Sequence, residues 1–174
     1  LVALLAMFAL LSIAFKSYFL PLIILSALPF GFCGAVIGHF IFGKGLSMIS
    51  YWGIGAACGV VINDNLVLVD YINRVRRSGK HLLEAVIEAG VVRFRPIVIT
   101  SITTFVGLMP IMLEPSVQAN FLKPAVISLT CGVVLCAPVT LILVPCLMVI
   151  GADIKEVLSR IPQVIKRQFS PTTT

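Results

Sequence analysis

Charge is what this chain has least of. Charged residues fill 11% of its 174 positions, and Asp and Glu together number seven, against about a quarter charged in an ordinary soluble domain. With 59% hydrophobic residues and a mean hydropathy of +1.11, a water-soluble globule is excluded and a polytopic membrane protein is expected. Paired cysteine motifs are missing too. Cys33, Cys58, Cys131, Cys136 and Cys146 all lie in apolar stretches, none forms a Cys-x-x-Cys pair, and neither histidine sits beside them. They read as small packing residues, not as disulfides or a metal site. His39, near the end of an apolar run, is expected at the membrane interface. No nucleophile is placed with a base, and there is no phosphate-cradling loop or ligand cluster, so an enzyme is not expected and no cofactor is implied. The net charge of +6 does not mark a nucleic-acid partner, because the basic residues fall between apolar spans, where topology accounts for them. The first apolar run carries neither a basic leader nor a small-residue cleavage site. It is expected to be a helix of a larger polypeptide, not a signal peptide.

What is there is a series of apolar runs. A span needs about 20 apolar residues at about 1.5 Å rise each. Five are expected, over 1–15, 21–43, 48–73, 96–113 and 121–150, giving an all-α transmembrane helix bundle over residues 1–150. A polar cytoplasmic tail, frayed at its end, is expected over 151–174. Lys16, Arg74, Arg76, Arg77, Lys80, Arg93, Arg95, Lys155, Arg160, Lys166 and Arg167 fall on one side of that arrangement, and Lys44 and Lys123 on the other. Eleven against two is a strong positive-inside bias, which puts the first residue outside and the C-terminus in the cytoplasm. Within the 74–95 connection, Leu82, Leu83, Val86, Ile87 and Val91 recur at helical spacing, opposite Lys80, Glu84 and Glu88. That pattern predicts a short amphipathic helix on the cytoplasmic membrane surface. Gly34 with Gly38, and Gly55 with Gly59, form small-x-x-x-small pairs that suit close helix packing. Pro29, Pro138 and Pro145 fall inside spans and are expected to kink them.

One acid stands apart. Asp64 lies within Asn63-Asp64-Asn65, between Gly53–Ile62 and Leu66–Val69, in the middle of an apolar run. A carboxylate at that depth costs about 2.5–3.5 kcal/mol on insertion scales, and residues kept there usually carry protons or ions. Asp70 lies seven residues after Asn63, hence on nearly the same face but nearer the cytoplasmic end, where it is a secondary candidate or an interface marker. Arg93 and Thr100 are also seven apart and share a helical face. Arg93 either reaches into the bundle or snorkels to the headgroups. Thr100, Ser101, Thr103 and Thr104 either bond back to their own helix or line a polar seam with Asp64. In such a seam a carboxyl balanced between desolvation and nearby donors takes up and releases a proton, and the helices around it repack.

These residues resemble a known family. Gly59-Val60-Val61-Ile62-Asn63-Asp64-Asn65-Leu66-Val67-Leu68-Val69-Asp70-Tyr71, then Glu84-Ala85 and Glu88-Ala89, then Arg93-Phe94-Arg95-Pro96-Ile97-Val98-Ile99-Thr100-Ser101 and Gly107-Leu108-Met109-Pro110, are similar to the resistance-nodulation-division (RND) efflux pumps. The likeness is to their hydrophobe/amphiphile exporters and runs over about residues 1–150. It implies helices eight to twelve of a twelve-helix pump in a bacterial inner membrane, with a cytoplasmic C-terminus. It also implies a proton/substrate antiporter, homotrimeric, joined to a periplasmic adaptor and an outer-membrane channel. The family's proton relay uses two aspartates on helix four, a lysine on helix ten, and an arginine and a threonine on helix eleven. The last two fall on Arg93 and Thr100. The lysine position falls on Asn63, a departure, with the acid Asp64 beside it. The expected proton-relay set is therefore Asp64, Asn63, Arg93 and Thr100.

Two other functions fit the pattern. One is an RND-type exporter of lipids or hopanoids. Metal export is disfavoured because Met7, Met48, Met109, Met112 and Met148 are scattered. The other is a non-transporting membrane assembly subunit whose polar groups only hold neighbouring helices.

Overall fold

The computed structural model describes the backbone of residues 2–168 and the side chains of residues 2–154. Six helices follow one another: α1 (Val2–Phe15), α2 (Phe19–Leu25), α3 (Leu28–Ile41), α4 (Met48–Arg77), α5 (Leu82–Leu113) and α6 (Val117–Gln168). Helices α2 and α3 together make one apolar length, Phe19–Ile41. That length, α4, α5 and the Val117–Ile154 part of α6 are each long and apolar enough to cross a membrane, and α1 is a shorter apolar helix. The architecture is an all-α, multi-pass membrane bundle with four lengths fit to cross a membrane and the shorter apolar α1 beside them, and no strand occurs among the described residues.

Proline chemistry shapes the second crossing. Pro29 stands in the first turn of α3, where its missing N–H would have had no intrahelical partner. The helix therefore breaks at Ser26–Ala27 and restarts. By contrast, Pro96 and Pro110 lie inside α5 without ending it. Nor do Pro138 and Pro145 interrupt α6. A membrane helix tolerates such residues when neighbouring groups engage the freed backbone. The α4 start is set by Ser47, in extended conformation, whose N–H donates to the Ser50 hydroxyl at 3.0 Å. Its end is set by Gly79 at φ +95°, a left-handed position that glycine takes without steric cost.

Helix α6 is the centre of the bundle and packs on α3, α4 and α5. Helices in hydrocarbon gain little from burying apolar surface against each other, so close van der Waals contact has to hold them. Small residues supply it. A methyl group on Gly34 would lie 2.9 Å from the Cys131 carbonyl oxygen, and one on Gly38 would overlap the Cys131 side chain. On α4 the close contact is made by Gly53, which meets the Ala125 backbone, and by Ala57, whose Cβ would lie 3.1 Å from a methyl on Gly132. Gly55 and Gly59 have nothing within 4 Å among the described residues. The expected Gly55/Gly59 pair is thus displaced by two residues: Gly53 and Ala57 face α6, and 100° per residue turns the other pair away.

Several expected boundaries also move. The segment 82–91 is no separate surface helix but the first turns of α5. Its small residues Ala85, Val86 and Ala89 are buried with Ile72, Val75, Val144 and Met148, while Leu83, Ile87 and Val91 are exposed. Facing α4 and α6 at close range favours the small side chains over the large ones. Helix α6 begins at Val117 and carries helical backbone through Gln168, past the expected limit at 150. Residues 169–174 lie outside the described residues. His39, expected at the interface, is 3% exposed. Its Nδ1 donates to the Lys44 carbonyl at 3.2 Å and its Nε2 meets the Ser128 hydroxyl at 2.8 Å, tying the end of α3 to α6.

Gly53→Ala in the full-length protein is expected to lower stability by about 1–3 kcal/mol, the usual cost of overpacking a closed contact. Gly55→Ala should leave it unchanged or raise it by up to about 1 kcal/mol through helix propensity. Thermal unfolding in detergent distinguishes the two.

Candidate functional site

The polar residues of α4 and α5 fall into two layers. Helices α4 and α5 run antiparallel through the turn at 78–81 and pack together. The Arg93 guanidinium lies over the Tyr71 ring, 5.5 Å from its centroid. Asp64 is seven residues before Tyr71, and Thr100 is seven residues after Arg93. Seven residues is nearly two turns, so each pair shares a helix face. Asp64 and Thr100 thus each lie about 10 Å further from the turn than Tyr71 and Arg93 on their own helices.

The outer layer is a connected cluster. The Tyr71 hydroxyl donates to Glu88 Oε1 at 3.4 Å, and Lys80 Nζ donates to Glu88 Oε2 at 2.5 Å. The Glu88 hydrogen bond, with its charge, holds the Lys80 ammonium above its ordinary pKa. Arg93 Nε is buried without a hydrogen-bond partner among the described residues. Its charge is met by the Tyr71 ring face, a cation–π contact worth about 0.5–2 kcal/mol.

The inner layer is looser. Asp64 and Thr100 are both half-buried, while Asn63 is exposed. The Thr100 hydroxyl donates to the Pro96 carbonyl at 2.9 Å, the carbonyl just past the proline. Ser101, Thr103 and Thr104 bond back to α5 in the same way. That answers one of the two readings of these hydroxyls in favour of local satisfaction. Arg93 is engaged with Tyr71 rather than Asp64. Asp70, the secondary candidate, is exposed and pairs with Arg74 at 3.2 Å one turn on; it sits at the rim of the bundle.

Three residues matter here that the polar spacing did not single out. Tyr71 and Glu88 organise the outer layer, and their only signal was position: Tyr71 repeats the Asp64 face, and Glu88 interrupts a run of small residues. The third is Asn65, 0% exposed, with neither amide atom partnered among the described residues. It lies one turn beyond Val61, which packs with Cys136 and Ala27. Because α4 and α6 run parallel, Thr140, one turn beyond Cys136, lies at its depth. The Thr140 hydroxyl is itself given to the Ala137 carbonyl at 2.9 Å.

Comparison with known proteins follows this geometry. Residues 1–152 match the model of the AcrB/AcrD/AcrF family. The chain is 32% identical over 146 residues to "Multidrug resistance protein MdtC" of Proteus mirabilis (strain HI4320). That alignment covers 83% of the chain and 14% of the MdtC length, so the chain spans about one seventh of that relative.

An unpaired buried amide costs about 1–3 kcal/mol, so Asn65→Leu, close in volume, is expected to raise thermal stability by that order. Asp70→Asn should change it by no more than about 1 kcal/mol, as befits an exposed ion pair. Unfolding of the two variants beside wild type measures both.

Proposed function

The chain belongs to the AcrB/AcrD/AcrF family of RND transporters, and from that premise we propose that it is the C-terminal transmembrane part of a proton-driven exporter of amphiphilic compounds. The printed name of the MdtC relative favours drugs as cargo over lipids. In the full-length protein the bundle belongs to a homotrimer of the bacterial inner membrane, working with a periplasmic adaptor and an outer-membrane channel. The apolar part of α6 to Ile154 closes the membrane domain, and its helical continuation to Gln168 lies on the cytoplasmic side, the side to which the basic residues point.

The observation that carries this reading is Asp64: a half-buried acid in an apolar helix, two turns from Tyr71, whose ring carries the Arg93 guanidinium. Asn63 occupies the position where the family resemblance places a lysine, so Asp64 has no fixed cation beside it on its own helix. Burial disfavours a carboxylate's charge, and an approaching cation favours it. When Asp64 loses its proton, the bare charge draws donors toward the inner layer. Arg93 gives up only about 0.5–2 kcal/mol on leaving Tyr71, less than a close carboxylate–guanidinium pair returns in a poorly hydrated site. When Asp64 is protonated, the attraction ends and Arg93 settles back on the ring. Thr100, on the α5 face that carries Arg93, redirects its hydroxyl from the Pro96 carbonyl toward the carboxyl during the exchange. Proton uptake is thereby coupled to a shift of α5 against α4.

The test is drug accumulation in energised cells expressing the full-length protein, wild type against Asp64→Asn at matched membrane abundance. Accumulation is expected to rise to that of a pump-null strain. Unchanged efflux would remove Asp64 from the coupling path, and a variant lost from the membrane would favour the assembly-subunit reading instead.

A further inference from the structure

We propose that an interhelical cavity at the basic end of the bundle binds one anionic phospholipid. The cavity, about 650 Å³, lies between the α1–α2 connection, the last turns of α4, the start of α5, and α6. One side of it is polar, with Ser17, Tyr18, Asn73 and Arg76, and the other is apolar, with Ile23 and Met148 drawn from the core. Such a two-sided lining suits a molecule with a charged head and a hydrocarbon chain, and no described residue lining it is acidic.

Arg76 gives the site its sign. Arg74 pairs with Asp70, and Lys80 with Glu88; Arg76 makes no ion pair among the described residues. A guanidinium with no ion pair among the described residues, beside an amide and a phenol, matches the oxygens of a phosphodiester. Basic pockets between membrane helices on the cytoplasmic side are recognised by anionic headgroups for the same reason. The geometry also provides for the tail. A second depression shares Ser17 and Tyr18 with the first and continues past Lys16 to Ile13 and Phe8 of α1, an apolar track with another cation at its mouth. Where α6 lines the cavity, the Phe19 ring lies against the Gly151 backbone so closely that a Cβ there would collide with it.

This inference does not depend on proton coupling, and its test does not use transport. The full-length protein in mixed nanodiscs of phosphatidylglycerol and phosphatidylethanolamine is released into native mass spectrometry and the retained lipid counted. Wild type and Arg77→Gln, whose charge lies outside the cavity, are expected to retain phosphatidylglycerol preferentially. Arg76→Gln is expected to lose that preference by about fivefold, the share of one surface basic residue. Should Arg76→Gln fail to reach the membrane, Ser17→Trp, which fills the junction and leaves every cation in place, must give the same loss. Equal retention of the two lipids by wild type overturns the proposal. So does an equal loss in Arg76→Gln and Arg77→Gln, which would mark a diffuse basic surface. Protection from thermal unfolding by inorganic phosphate alone, as great as by phosphatidylglycerol and equally dependent on Arg76, overturns it as well.

Discussion

Backbone-close contact along α6 is the constraint on which the rest of the bundle depends. Hydrocarbon gives helices no reason to prefer one another over lipid, so they stay together where their surfaces approach nearly to the main chain. Gly34 and Gly38 of α3, and Gly53 and Ala57 of α4, do this against Ala125, Cys131 and Gly132. The contact is steric and therefore sets position as well as strength. It fixes the depth of α4 against α6, and with it the level at which every polar group on α4 meets the bundle. The His39–Ser128 hydrogen bond at 2.8 Å adds a polar pin near one end of the same interface.

Given that register, the polar groups divide sharply between satisfied and unsatisfied. The hydroxyls of α5 are turned onto their own helix, so α5 presents little free polar capacity along its length. Among the described residues the capacity that remains is concentrated in few places: the Asn65 amide, the Nε of Arg93, the buried Thr130 hydroxyl of α6, and the half-buried carboxyl of Asp64. A bundle that otherwise satisfies its polar groups locally makes these exceptions chemically conspicuous, since an unmet polar group in a poorly hydrated interior is costly. The layer at Tyr71, Glu88 and Lys80 then has a plain physical task. In the proposed coupling it holds a cation two turns from the acid, by a contact weak enough to be exchanged.

Much of this was legible before any fold was known. The apolar runs announced the crossings, and a lone Asp64 among them announced a site, because hydropathy is additive along the chain and a misplaced charge stands out from it. The break at Ser26–Ala27 followed from Pro29. Other signals misled for identifiable reasons. Pro96 looked like a helix start, yet α5 runs through it, because a membrane interior gives the chain a strong reason to stay helical on both sides of the ring. Leu82, Leu83, Val86, Ile87 and Val91 looked like the apolar face of a separate surface helix, yet the segment is the start of α5, and Ala85, Val86 and Ala89 face the bundle while Leu83, Ile87 and Val91 do not.

The sequence by itself determined the class of the protein and its family, since each of these is a property of local composition or of motif. Only the tertiary structure decided which residues on a helix face a partner. Rotation by 100° per residue separates Gly53 from Gly55 and Asn65 from Asp64, and hydropathy cannot tell lipid from a neighbouring helix. The choice between them is made by segments about 70 residues distant along the chain, through contacts that no local pattern records.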